Sequence, residues 1–162
     1  MNIASVRIVL PTQHLEAMDK DGAIARVYPV STACKGAGEK LGSLQTPRGR
    51  HIVRAKIGAG LPLYSVFSAR RPTGEIWTPE LDAANPERDW ILTRILWLSG
   101  REPGFNRLGD VDTMRRYIYI HGCSDFAVMG EPRSNGCIRM RNHDIMELFE
   151  AAPDYCPVEI VA

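Results

Sequence analysis

The chain has 162 residues, a length that fits one domain, and its 44% hydrophobic and 24% charged residues exclude an intrinsically disordered chain. A formal net charge of +1 gives no bulk field toward nucleic acid or an anionic membrane, so no nucleic-acid partner is expected. No run of about 18 apolar residues could span a bilayer as a helix, and residues 1–10 lack the basic start and long apolar run of a signal peptide.

Val6, Ile8 and Leu10 recur at every second position, which predicts a strand ending at Pro11. Gln13 to Met18 predicts a second strand, and Ala23 to Val30 a third. Between them, Asp19-Lys20-Asp21-Gly22 carries the residue types of a tight turn. Residues 33–49 hold Gly36, Gly38, Gly42, Pro47 and Gly49 and read as loop. Strands are predicted at Arg48 to Ile57 and at Tyr64 to Ser68, followed by irregular chain to residue 89. Trp90 to Leu98 is apolar at most positions; Ile91, Ile95 and two tryptophans favour strand over helix. A Gly/Pro-rich loop spans 99–114, and Arg116 to Ile120 is β-prone. Asn142 is a candidate N-cap for a helix whose buried face is Ile145, Leu148 and Phe149, ended by Pro153. Val158, Ile160 and Val161 predict a last strand. The expectation is one mainly β domain over residues 1–162 with one main helix.

Two segments carry chemistry: Ile120-His121-Gly122, and Ser134-Asn135-Gly136-Cys137-Ile138-Arg139. Glycine before cysteine lets the backbone bend sharply and present the thiol. Backbone N–H groups at such a bend can converge where an oxyanion develops. A free thiol has a pKa of about 8.5 and needs a base at neutral pH. His121, at the end of a predicted strand, is the candidate base. Its second ring nitrogen needs an acceptor, which Asp125 or a backbone carbonyl could supply.

These residues resemble the signature of the YkuD-type L,D-transpeptidases. The His-Gly pair, the Ser-x-Gly-Cys-Ile-Arg run and the 16-residue step from His121 to Cys137 are similar to that family's Gram-negative branch. Tyr28-Pro29-Val30-Ser31-Thr32 and Thr46-Pro47-Arg48-Gly49 resemble further landmarks. The resemblance extends from about residue 3 to the end. It implies a β-sandwich of mixed sheets with its main helix after the cysteine. It also implies a cysteine acyl-enzyme formed on peptidoglycan stem tetrapeptides, resolved by an amine, a protein or water. By position, Cys137 would be nucleophile and His121 general base, with the Gly122 carbonyl orienting the imidazole. N–H groups around Gly136 and Cys137 would form the oxyanion hole. Ser134, Asn135 and Arg139 would line the substrate floor, Asn135 standing where histidine is frequent. No metal or organic cofactor is implied. A monomer in the periplasm or cell envelope is expected, with the cytoplasm left open by the absence of a visible signal peptide.

Cys123 stands where threonine is common, which raises the hypothesis of an inhibitory Cys123–Cys137 disulfide. A zinc site on His121, Cys123, Cys137 and Cys156 is the rival chemistry, although the spacing lacks short paired ligands. A non-catalytic wall-peptide binding module is the third reading. Stretches 69–89 and 99–114 are candidates for a lid. Arg115-Arg116 reads as a solvated loop end, and Cys34 and Cys156 as packing residues.

Overall fold

A computed structural model describes residues 1–162. Strands β1 (Ser5–Val9), β2 (His14–Met18) and β3 (Ile24–Pro29) form an antiparallel meander. The turn between β2 and β3 forms as its residues direct: the Asp19 carboxylate accepts the N–H groups of Asp21 and Ala23 at 2.9 and 3.0 Å. β10 (Pro157–Val161) lies parallel to β1 and antiparallel to β4 (Gly49–Ile57). Along β10, Val158 and Ile160 are buried while Glu159 faces outward, the period of two that a half-buried strand requires.

The sheet divides at β7 (Ile91–Gly100). One edge of β7 pairs with β4 and, at its start, with β5 (Ser65–Ser68), which carries β6 (Arg71–Ile76). The other edge takes β8 (Tyr119–Gly122), and β9 (Ile138–Met140) runs parallel to β8. Arg139 in β9 exchanges two backbone hydrogen bonds with Ser31, just beyond β3, at 3.0 and 2.8 Å. The chain of paired strands therefore returns to its own start and encloses the core.

That core joins Ile8, Leu15, Leu96, Ile120, Ile138 and Val158 from the strands to one face of helix α2 (Asn142–Ala151). Ile145, Leu148 and Phe149 are the buried face of α2, as their spacing predicts. No helix is long and apolar enough to cross a membrane.

The mainly β fold with mixed strands and a helix after the cysteine is present; the differences from the sequence reading are local. Residues 69–89 are not irregular: they hold β6 and a short helix α1 (Pro79–Ala84). Thr78 caps α1 by accepting the Leu81 N–H at 3.1 Å, and Pro79 takes the first helical position. β8 begins at Tyr119 rather than Arg116, because Tyr117 has φ of 57° and breaks the extended run. Asn142 is not the cap of α2. Arg141 holds the cap position without a side-chain bond, and Asn142 turns inward. Stretch 99–114 is anchored, since the buried Asn106 donates from Nδ2 to the carbonyls of Arg48 and Arg50 at 3.1 and 3.0 Å.

Leu148 is fully buried and fastens α2 to the strands. Leu148→Ala is expected to cost about 2–5 kcal/mol of unfolding free energy, read as a lower denaturant midpoint. An unchanged midpoint would mean that α2 is not part of the cooperative core.

Candidate active site

β8 is buried at all four positions, so His121 sits on rigid backbone. Its Nδ1–H donates to the Gly122 carbonyl at 2.6 Å. That bond fixes the tautomer and leaves Nε2 as a proton acceptor. Burial pushes the His121 pKa below its ordinary 6.5, so the ring is neutral at neutral pH. Gly122 has no room for a side chain. A Cβ there would lie 2.4 Å from Asn142 Oδ1 and 2.6 Å from the Leu92 carbonyl.

The inward turn of Asn142 explains that crowding. Its Nδ2 donates to the Cys123 carbonyl at 2.7 Å and to Asp125 at 3.2 Å. Its Oδ1 accepts the Thr93 hydroxyl at 2.5 Å. Thr93 in turn accepts the Tyr64 N–H at 3.1 Å, and the Tyr64 hydroxyl donates to Asp125 at 2.7 Å. Thr93 sits at a bulge in β7 with φ of 73°, a backbone region that β-branched residues avoid. This closed polar network, linking β7, α2 and the loop after β8, backs the peptide units that follow His121. Asp125 therefore joins the site through Asn142, and the imidazole takes its orientation from the Gly122 carbonyl.

The cysteine is positioned from the other side. Gly136 has φ of 130°, open to glycine and strained for other residues. The Thr46 hydroxyl, itself accepting the Ala33 N–H at 3.0 Å, donates to the Gly136 carbonyl at 2.9 Å. Because the Gly136–Cys137 peptide is trans, the Cys137 N–H points away from Thr46, and it has no acceptor within the protein. The Gly136 N–H is already engaged by Ser134 Oγ at 3.2 Å, and that hydroxyl donates to the Cys137 carbonyl at 2.6 Å. Ser134 is buried and braces the turn, so of the two backbone N–H groups the one at Cys137, not that at Gly136, is left without a partner.

Ile120 pairs with Ile138 and His121 with Arg139 in the parallel register, which brings Tyr119 level with Cys137. Cys137, His121 and Arg139 thereby share one face. The thiol makes no hydrogen bond to His121. It donates to the Tyr117 carbonyl and accepts the Tyr119 N–H, each at 3.3 Å. Burial pushes its pKa up to about 12, a shift that the Tyr119 N–H opposes, so the resting thiol is protonated. Arg116 is no solvated loop end. It donates to the carbonyls of Gln45 and Gly38 at 2.6 and 3.2 Å and fastens the loop carrying Thr46 to the approach of β8.

Arg139 is held by Asp89 at 3.0 Å, which ties the segment after α1 to the site. A pocket of about 250 Å³ opens beside this pair, lined by Asn135, Arg139, Trp90, Arg88 and Cys123 among others. Asn135 is exposed there and its amide has no partner within the protein.

The Cys123–Cys137 disulfide is excluded in this fold. Cys137 is level with Tyr119, and Cys123 follows the last residue of β8, four residues beyond Tyr119, about 13 Å at ~3.3 Å per residue. A disulfide reaches at most about 7 Å between Cα atoms. Cys123 is buried and donates to the Met140 carbonyl at 3.4 Å, and all four cysteines are free. The rival zinc ligands are likewise separated: the Cys156 thiol faces the Ala4 and Pro157 carbonyls in the main core. No three His, Cys, Asp or Glu side chains gather at one point.

A family model for the L,D-transpeptidase catalytic domain, YkuD, matches residues 4–160. The chain belongs to the YkuD family. No curated protein sequence matches it. Among solved structures, it resembles L,D-transpeptidase 3 from Mycobacterium tuberculosis with a TM-score of 0.58 at 15% identity, covering 98% of this chain and 60% of that one. It resembles an L,D-transpeptidase from Xylanimonas cellulosilytica with a TM-score of 0.57 at 19% identity, covering 99% and 61%. The catalytic domain of the E. faecium L,D-transpeptidase, acylated by ertapenem, gives a TM-score of 0.55 at 18% identity, covering 99% and 98%. This chain thus spans about three fifths of the first two relatives.

Within this YkuD domain, motif and spacing singled out Cys137 and His121, and the family resemblance Gly122, but neither pointed to Thr93, to the brace from Thr46, to the anchoring by Arg116 or to the inward role of Asn142. Thr46 opens the Thr46-Pro47-Arg48-Gly49 run, and its contact with the Gly136 carbonyl shows what it does there. Asn142→Ala removes partners from the buried Thr93 hydroxyl and the Cys123 carbonyl. It is expected to lower stability by about 1–3 kcal/mol. Chemical denaturation checks this, and a wild-type midpoint would show that the network is not under load.

Proposed function

We propose that this domain is a cysteine-dependent L,D-transpeptidase acting on peptidoglycan stem tetrapeptides. The observation that carries the reading is that a neutral imidazole, its Nε2 left as acceptor, shares one face of the parallel β8 and β9 pair with the thiol of Cys137, which immediately precedes β9. The family supports it, as does the E. faecium domain acylated by ertapenem.

In this reading the Cys137 thiol gives its proton to His121 Nε2 as sulfur attacks the carbonyl carbon of the third stem residue. The oxyanion takes the Cys137 N–H, which has no competing acceptor in the protein. Collapse expels D-alanine, protonated by the imidazolium, and leaves a thioester. An amine from a second stem resolves it to a 3→3 crosslink, or from a protein to a wall attachment; water would give the hydrolytic outcome. Asn135 and Arg139 contact the stem from the pocket they line, and the Arg139 fork suits a carboxylate once Asp89 is displaced. This substrate places the working enzyme in the cell envelope.

Intact-mass measurement after incubation with ertapenem tests the acylation step. An adduct is expected on the wild type and none on Cys137→Ala. An unmodified wild type, freshly reduced, would overturn the reading. His121→Gln should slow acylation by about 10²–10⁴-fold. Both members of the pair are neutral at rest: burial lowers the His121 pKa and raises that of Cys137 to about 12. The acylation rate should therefore rise with pH through a midpoint below 6.5, as His121 loses its proton, and stay level past pH 8. A rise centred near the ordinary thiol value of about 8.5 would instead mean that free thiolate, without the imidazole, attacks.

A further inference from the structure

Away from the cysteine, a pocket of about 400 Å³ lies against β4, the end of β7 and the loop that follows. Four arginines line it: Arg54 from β4, Arg101 just past β7, Arg107 from the loop and Arg115 from the approach to β8. Arg54 comes from β4 and the other three from the single connection between β7 and β8, spaced six and eight residues apart, so the fold and not a run of charge brings them together.

None of the four guanidinium groups makes a salt bridge, and none donates a side-chain hydrogen bond within the protein. Several other arginines hold carboxylates, Arg7 with Glu16, Arg26 with Glu147, Arg48 with Glu39 and Arg88 with Glu75, while Arg50, Arg71 and Arg141 are also unpaired; what sets this pocket apart is that four unpaired guanidinium groups line one cavity. The one acid in the pocket wall, Asp112, is occupied by backbone: its oxygens accept the N–H groups of Leu108 and Arg115 at 2.6 and 3.0 Å. Four arginines against the one Asp112 carboxylate leave a net positive charge around this concavity and focus a positive potential into it. No lysine lines the pocket. Guanidinium is the planar fork that grips phosphate or carboxylate in two-point fashion, which a lysine cannot do. Ile52, Leu108 and Met114 supply an apolar part of the wall.

We propose that this pocket binds an anion bearing two or more phosphate or carboxylate groups, at a site separate from Cys137 and His121. The chemistry of the thiol does not enter the argument, so this site stands or falls independently of the transpeptidase reading.

Calorimetric titration of the full chain with inorganic pyrophosphate, and separately with citrate, tests it. The same titrations are run on Arg101→Gln/Arg107→Gln and on Arg139→Gln. One-to-one binding is expected on the wild type, weakened about tenfold or more in the double variant, retained in Arg139→Gln, and falling as salt is raised. Tighter pyrophosphate identifies a phosphate-bearing ligand, and tighter citrate a carboxylate-bearing one. Arg115→Gln serves as a second variant if the double variant melts below the wild type. Three results would each overturn the site: no binding on the wild type, equal affinity in the arginine-pocket variants, or loss confined to Arg139→Gln.

Discussion

The short hydrogen bond from His121 Nδ1–H to the Gly122 carbonyl, 2.6 Å long, is the constraint on which the site depends. It decides which imidazole nitrogen is free to accept a proton. The carbonyl can hold that place only because the backbone after His121 cannot shift. Gly122 is pressed against Asn142 and the Leu92 carbonyl, and the next carbonyl, that of Cys123, is held by Asn142 Nδ2. Asn142 is in turn fixed by Thr93, whose left-handed backbone carries a strain of about 1–3 kcal/mol at the bulge of β7. A polar network satisfied at every member can hold such strain in a core where an unpaired group would not be tolerated.

Cysteine and histidine are thus positioned by different parts of the fold that meet only across β8 and β9. The histidine side rests on β7 and the first residue of α2. The cysteine side rests on Thr46 and Arg116, which fasten the long loop between β3 and β4. The ring of paired strands, closed where Ser31 meets Arg139, keeps both supports in register. The outcome is a neutral pair: a buried imidazole with a lowered pKa and a half-buried thiol with a raised one. Burial disfavours separated charge at rest, so proton transfer and bond formation are coupled in the proposed attack.

Much of this was legible in the sequence, for a physical reason. Strand periodicity, the Asp-rich turn at 19–22 and the glycine before Cys137 are local signals, and each reports its own structure. The spacing of His121 and Cys137 sets them on one face because β8 and β9, which Cys137 immediately precedes, are neighbouring strands. What stayed hidden depends on long-range contact. Asn142 reads as a helix cap by local chemistry, yet Thr93, 49 residues away, draws it inward. The inferred nearness of Cys123 to Cys137 failed because parallel register, invisible in sequence, separates them. Helix α1 had a legible start in Thr78-Pro79, but the surrounding prolines and glycines masked its short run.

The most direct test of the account is nitrogen NMR of His121 in ¹⁵N-histidine-labelled protein, followed across pH. A neutral ring at pH 7 with the proton on Nδ1, titrating below 6.5, is the expected result. A ring protonated on both nitrogens at pH 7, or a neutral ring carrying its proton on Nε2, would contradict it.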